Sequence, residues 1–378
     1  MTWRAARLGD VLTLKRGHDL PDSQRQDGDV PVVSSSGITG HHSEPKAKAP
    51  GVVTGRYGTI GEVFYIEEDY WPLNTALYVI DFKGNRPRFV AYFLECVLRN
   101  YESDKAAVPG VNRNVLHELK VRCPDTKAQE RIESILSAYD DLLDNNRRRM
   151  ALLEDAARQL YREWFVRLRF PGHEHTRITD GLPKGWSRQR IAEVADCIGG
   201  GTPATSVSRY WEDGDVTWVT PTDVTRNSHL VLLDSEKRIT EAGLQSSSAK
   251  LVPPHAVLMT SRASVGFFAV AGREVCTNQG FISVVPHDPT TWPYLLFHLS
   301  ERVEEIRAMG SGSTYPEVSR GKFRELEVLI PKHSLVTAFC EQATDILKQI
   351  RVLKQQNQKL RAARDLLLPR LMSGQIAV

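Results

Sequence analysis

What most constrains this chain is that it contains one unit twice. Leu116-His117-Glu118-Leu119-Lys120-Val121-Arg122-Cys123-Pro124 returns as Phe323-Arg324-Glu325-Leu326-Glu327-Val328-Leu329-Ile330-Pro331, an offset of 331 − 124 = 207, and each copy leads into a helical stretch. Upstream, Trp3, Arg7, Leu8 and Val11 return as Trp186, Arg190, Ile191 and Val194, an offset of 186 − 3 = 183. The offsets differ by 207 − 183 = 24, so the second copy carries extra residues between its start and its closing proline. A repeated unit, each time followed by a helix, builds a pseudo-symmetric molecule able to touch two things at once. A two-site binding scaffold is the first expectation.

The 378 residues, 41% apolar and 25% charged, suffice for two cores. A net charge of +3 permits nucleic-acid binding without requiring it, since clustering of Lys and Arg decides the matter. No run of about 18 apolar residues predicts a membrane span, and Met1-Thr2-Trp3-Arg4 lacks the apolar core of a signal peptide. The five cysteines, Cys96, Cys123, Cys197, Cys276 and Cys340, are odd in number, scattered and without C-x-x-C spacing. They read as reduced thiols of a cytoplasmic protein.

Residues 7–124 show short β-type runs cut by turn residues: 31–37, 51–61, 62–66 and 76–80, with a helix expected over Phe89 to Asn100. This is an α+β unit. From Thr126 the period changes. Ile132, Ile135, Tyr139, Leu142, Asn146, Met150, Leu153, Ala157, Leu160 and Trp164 step by three and four, predicting a helix of about 38 residues, or about 57 Å. A Pro-Gly linker follows, and a second unit runs from near Leu182 to Pro331. The last stretch repeats the helical seam at Ile346, Ile350, Leu353, Asn357, Leu360, Arg364, Leu367 and Leu371. Asn146 and Asn357 both sit on their seams, where a single Asn sets register and partner. Each seam is too long for its own domain to cover. Antiparallel pairing of the two helices would satisfy both, and so would two separate partner helices.

Catalytic motifs are missing. Ile198-Gly199-Gly200-Gly201-Thr202-Pro203 lacks the Gly-Lys-Ser/Thr of a phosphate loop and reads as a flexible turn. His173-Glu174-His175 and His41-His42 have no further spaced ligand. Asp104, Glu118 and Lys120 loosely fit a metal-nuclease pattern, but the second copy has Glu325-Leu326-Glu327 there. No G-x-S-x-G, methyl-donor or amino-methyltransferase motif is present. The chain is expected to catalyse nothing and hold no metal or cofactor itself.

Two regions recur as recognition loops. Thr54-Gly55-Arg56-Tyr57-Gly58-Thr59-Ile60-Gly61 matches Thr260-Ser261-Arg262-Ala263-Ser264-Val265-Gly266, followed by Trp71-Pro72-Leu73-Asn74-Thr75 against Cys276-Thr277-Asn278-Gln279. Val108 to Asn114 matches Tyr315 to Gly321. Such turns can bring backbone N–H groups and a guanidinium to phosphate, while Asn and Gln suit adenine and Arg suits guanine. The candidates are Arg56, Tyr57, Thr59, Asn74, Asn112 and Arg113 in the first unit. In the second they are Arg262, Ser264, Thr277, Asn278, Gln279, Tyr315, Ser319 and Arg320. A structural role for Arg56 and Arg262 is the bland alternative.

Asp141-Leu142-Leu143-Asp144-Asn145-Asn146-Arg147-Arg148-Arg149, Leu152 to Val166 and Phe170-Pro171-Gly172-His173-Glu174 closely resemble the central region of the specificity (S) subunits of type I restriction-modification enzymes. Leu182-Pro183-x-Gly185-Trp186 resembles the opening of that family's second recognition domain, and Val53 to Gly61 its recognition strand and turn. The resemblance spans essentially the whole chain. It implies two target-recognition domains, mixed β with helices, separated by two long antiparallel coiled-coil helices. The boundaries expected are 1–125, 126–168 (central helix), 169–184 (linker), 185–332 and 333–378 (C-terminal helix). It further implies binding of an asymmetric bipartite double-stranded DNA target. Two methyltransferase (M) subunits, which methylate adenine N6, and motor-nuclease (R) subunits are the implied partners. S-adenosylmethionine, ATP and Mg are expected on those partners. Asn146, Leu153, Leu160, Trp164, Phe165, Leu353, Asn357, Leu360 and Leu367 are the expected helix and partner contacts. The C-terminal helix departs from the central one in lacking its Trp-Phe pair. A modification-only or orphan S subunit, and a two-ended protein scaffold that never meets DNA, are the competing readings.

Overall fold

The computed structural model describes residues 2–56, 61–99, 101, 111–311 and 316–378. They form two units, Met1–Leu143 with Lys359–Val378, and Asp144–Gln358. Both are mixed helix and strand.

In unit 1, β1 (Trp3–Arg7) runs into the single turn of α1 (Leu8–Val11), where the Asp10 carboxylate caps the Arg7 N–H at 2.9 Å. β2 (Thr13–Arg16), β3 (Val30–Ser34), β4 (Gly37–His42), β5 (Gly51–Gly55), β6 (Val63–Ile66), β7 (Trp71–Pro72) and β8 (Ala76–Asp81) follow. α2 (Pro87–Arg99) opens on a proline, whose missing N–H costs nothing in a first turn, and buries Phe89, Val90, Phe93 and Leu94. Then come α3 (Arg113–His117), β9 (Lys120–Pro124) and the long α4 (Thr126–Tyr161). The sheets are β1-β9, β2-β8-β5-β6 and β4-β3-β7.

Unit 2 repeats this plan after a two-strand hairpin, β10 (Ile178–Thr179) and β11 (Leu182–Pro183). Its elements begin with β12 (Ser187–Arg190), α5 (Ile191–Val194), β13 (Ala195–Gly199), β14 (Val216–Val219), α6 (Pro221–Thr225), β15 (Val231–Leu232), β16 (Lys237–Ile239) and α7 (Glu241–Gln245). β17 (Val257–Thr260), β18 (Phe268–Ala271), β19 (Cys276–Thr277), β20 (Phe281–Pro286), α8 (Trp292–Glu301) and α9 (Val303–Ala308) follow. α10 (Arg320–Arg324), β21 (Glu327–Ile330) and α11 (His333–Ser373) end the chain. The sheets are β12-β21, β13-β20-β17-β18-β15 and β16-β14-β19, the unit 1 orders with β15 added.

The duplicated segments that open and close each unit are strand partners: Trp3 faces Pro124, and Ser187 faces Ile330. Most of the extra length of unit 2 is also placed. β3 turns directly into β4 at Ser35 and Ser36, whereas residues 220–236, with α6 and β15, separate β14 from β16. This segment packs on the helical part of its own unit. The buried Glu154 carboxylate of α4 accepts the Leu230 N–H at 2.5 Å, and Lys354 Nζ of α11 donates to Val231 O at 2.7 Å. Desolvation pushes the Glu154 pKa up.

Each unit pairs its share of α4 with its share of α11, antiparallel. In unit 1 Arg364 donates to Asp140 Oδ1 at 2.7 Å, and Ile132 and Leu136 share a core with Leu368, Leu371 and Met372. In unit 2 Asn146 bonds Asn357, while Tyr161 packs on Phe339 with ring centroids 5.8 Å apart. The seam departs from expectation at Leu142, which is 44% exposed while Leu143 is buried. Leu143 lies seven residues from both Leu136 and Met150, so it, not Leu142, falls on the inward stripe.

Candidate nucleic-acid interface

Unit 2 brings three separated segments into one laced group. Ser261 N donates to Gly280 O at 2.8 Å, Val318 N donates to Ser261 O at 2.9 Å, and Ala263 N donates to Pro316 O at 3.1 Å. Arg262 and Glu317 thereby face each other as bridge partners. A cleft of about 410 Å³ opens beside them, lined by Pro221, Arg262, Ala263, Asn278, Gln279 and Gly280. Three candidates, Arg262 and the adjacent pair Asn278 and Gln279, thus line one cavity. Gly280 keeps its floor low: a Cβ there would sit 3.2 Å from Asn278 Oδ1 and 3.3 Å from Pro221 Cγ.

The candidates divide by role. Arg262 and Gln279 are exposed on the cleft, and the Gln279 Oε1 accepts the Thr202 hydroxyl. Asn278 turns its Oδ1 inward to the Gly280 N–H at 2.9 Å, so it holds the turn. Thr277 is buried, and its carbonyl accepts the Gly201 N–H at 2.9 Å. Ser264 is exposed on the adjoining turn. Ser319 caps α10 by accepting the Lys322 N–H at 3.3 Å, and exposed Arg320 begins that helix. Tyr315 lies outside the described residues.

Unit 1 has the same lacing with a different register of side chains. Arg56 N donates to Thr75 O at 3.0 Å, and Val111 N donates to Arg56 O at 2.9 Å. In bonding pattern Arg56 therefore occupies the place of Ser261, one residue before Arg262. The motif alignment that equates the two arginines is off by one residue. The ladders agree: Gly55 pairs with Ala76 beside β8, and Thr260 with Phe281 beside β20. The two arginines do not present alike: Arg56 is half-buried and Arg262 is exposed. Asn74 is held by Asp19 at 2.6 Å, and its carbonyl accepts Arg16 Nε at 3.2 Å. Asn112 caps α3 through the Asn114 N–H at 3.0 Å, leaving Arg113 exposed at its start. Tyr57 and Thr59 lie outside the described residues.

Other expectations are resolved locally. The glycine run is no loose turn: a Cβ on Gly200 would lie 2.1 Å from Asn278 O, so glycine lets the backbone after β13 touch the backbone after β19. His173-Glu174-His175 forms an exposed single turn, His173 Nδ1 bonding its own neighbour Phe170 O at 2.9 Å. Glu118 pairs with Arg7 at 2.6 Å, and Asp104 lies outside the described residues. Trp164 and Phe165 are buried in the unit 2 core, with Leu153 and Leu160 packed against it. Leu353 and Asn357 are buried there too, while Leu360 and Leu367 belong to unit 1's share of α11 and are half-buried. The missing Trp-Phe of α11 is replaced by Leu368, Leu371 and Met372, and Gly374 brings the chain against the Trp3 ring. Burial pushes the Cys276 and Cys340 thiols up to about 12, as in unreactive core thiols. Among the described residues no group of three His, Cys, Asp or Glu side chains could hold a metal ion, and no helix is long and apolar enough to cross a membrane.

Sequence reasoning passed over Thr202, Pro221, Glu317 and Glu154. Glu317 was visible as the acidic member of a repeated turn. Thr202 and Pro221 gain their place only from the fold.

The sequence matches the type I restriction modification DNA specificity domain over residues 1–155 and again over 183–361. The chain belongs to that family. The type I restriction enzyme MjaIX specificity subunit of Methanocaldococcus jannaschii is 34% identical over 152 residues, 40% of this chain and 35% of that protein. The chain thus spans about a third of the length of that relative. The type I restriction enzyme HindI specificity subunit of Haemophilus influenzae is 20% identical over 337 residues, 73% of each chain. A crystal structure of a type I restriction-modification S subunit from M. genitalium shares the fold, with TM-score 0.64 and 15% identity over 98% of this chain and 96% of that one. In this specificity-domain family member the two matched stretches coincide with the two copies found in the sequence.

Proposed function

We propose that this chain is the DNA-reading subunit of a type I restriction-modification assembly. Each unit reads one half of an asymmetric, bipartite duplex target. Two M subunits bring S-adenosylmethionine for adenine-N6 methylation, and R subunits bring ATP- and Mg-dependent cleavage. The chain itself supplies recognition and no chemical step. The observation that carries this reading is the duplicated loop cluster. In both units the ends of β5 and β17 are laced to the segments after β7 and β19 and before α3 and α10. The shared frame carries unlike side chains, as unlike half-sites require.

The test is mapping of N6-methyladenine in cells that express the M partner, with and without this chain. A single asymmetric two-part motif that disappears when the chain is deleted is the expected result. A motif that persists without the chain would defeat the proposal.

A further inference from the structure

We propose that Arg262 and Glu317 together read one G·C base pair in the half-site bound by unit 2. This rests on the DNA-reading function above and deepens it.

The two residues are neighbours by backbone, since bonds on both sides of them lace their segments together, as described. Arg262 Nε lies 3.8 Å from Glu317 Oε2, and the side chains are 50% and 48% exposed. An ion pair this open contributes little to stability, so both groups can turn outward at small cost. The carboxylate also decides what Arg262 faces. Beside a phosphate, Glu317 would repel the ligand. Beside a base edge it becomes useful, because a carboxylate accepts from cytosine N4 while a guanidinium donates to guanine O6 and N7. Those atoms lie on one edge of one base pair, with O6 and N4 hydrogen-bonded to each other at about 3 Å. A facing Arg and Glu therefore match that edge atom for atom, donors to acceptors and acceptor to donor. The cleft alongside, floored by Gly280, gives the edge room to approach.

The experiment uses the full chain assembled with its M partner and a duplex pool randomised across the unit 2 half-site, sequenced before and after selection. Wild type should enrich G·C at a defined position. Arg262→Ala and Glu317→Ala should each reduce that preference, on the order of tenfold or more, at the same position and leave other positions unchanged. Melting curves accompany each variant, with Arg262→Met, which keeps an unbranched stem, and the isosteric Glu317→Gln as replacements if an Ala variant unfolds. Profiles unchanged in both variants, effects at different positions, or a uniform weakening of every sequence would overturn the proposal while leaving the DNA-reading function intact. A wild-type assembly that enriches no sequence at all would overturn both.

Discussion

Asn146 Nδ2 donates to Asn357 Oδ1 at 2.8 Å, and both amides are buried between α4 and α11. A buried amide is costly alone and inexpensive when paired, so the pair favours the one register that joins the two. Asn146→Leu removes the donor that the buried Asn357 Oδ1 accepts from and should destabilise unit 2 by about 1–3 kcal/mol. The double variant Asn146→Leu, Asn357→Leu should recover most of that loss. Denaturant melts of the four proteins in a double-mutant cycle measure the coupling. Additive losses would show that the amides do not depend on each other.

His298 should make unit 2 acid-sensitive. Its Nε2 accepts from Arg302 Nη1 at 3.1 Å and Leu329 N at 3.4 Å, so its Nδ1 carries the proton and donates to the Tyr161 hydroxyl at 2.8 Å. Burial, with Arg302 beside it, lowers its pKa to about 3. A depressed folded pKa means stability that is fully present above the unfolded value of about 6.5 and lost as pH falls toward 3, by at most about 1.4 kcal/mol per pH unit. Stability measured from pH 7 to 4 should fall in wild type and fall less steeply in His298→Gln. Parallel slopes would remove His298 as the cause.

Much of this was legible in the sequence. The repeat announced two like units, and the three-four spacing placed α4 and α11, because an inward helical stripe must be apolar wherever it is covered. The strands at 51–55 and 63–66 followed from β-branched and aromatic residues beside glycines. The one-residue shift between Arg56 and Arg262 was not legible. Sequence matching aligns side chains, whereas the ladder aligns backbone N–H and C=O groups. Nor could the cleft be foreseen, since Pro221 and Gly280 come beside Arg262, and Thr202 reaches Gln279, only once the chain has folded. The support that Glu154 gives to residues 220–236 was hidden because a carboxylate on a helix usually faces water.

Arg56 and Arg320 should act differently from Arg262. If Arg320, exposed at the start of α10, meets phosphate, Arg320→Ala should weaken specific and nonspecific duplex alike and flatten the salt dependence by about one unit. Arg56→Ala, at a half-buried position in the lacing of unit 1, should lower the melting temperature as well as affinity. Affinity across a salt series for the assembled complex, paired with melting curves, checks both. An Arg56→Ala variant with a wild-type melt and a reduced salt slope would make it a plain phosphate contact.

The central claim is that each unit reads its own half of the target, and a graft tests it most directly. Residues 1–125 are replaced by the matching segment of a family member with a different target, and methylated adenines are mapped in cells carrying the hybrid and its M partner. The account predicts a motif in which one half changes to that of the donor and the other half stays as in wild type. A motif changed in both halves, or in neither, would contradict it.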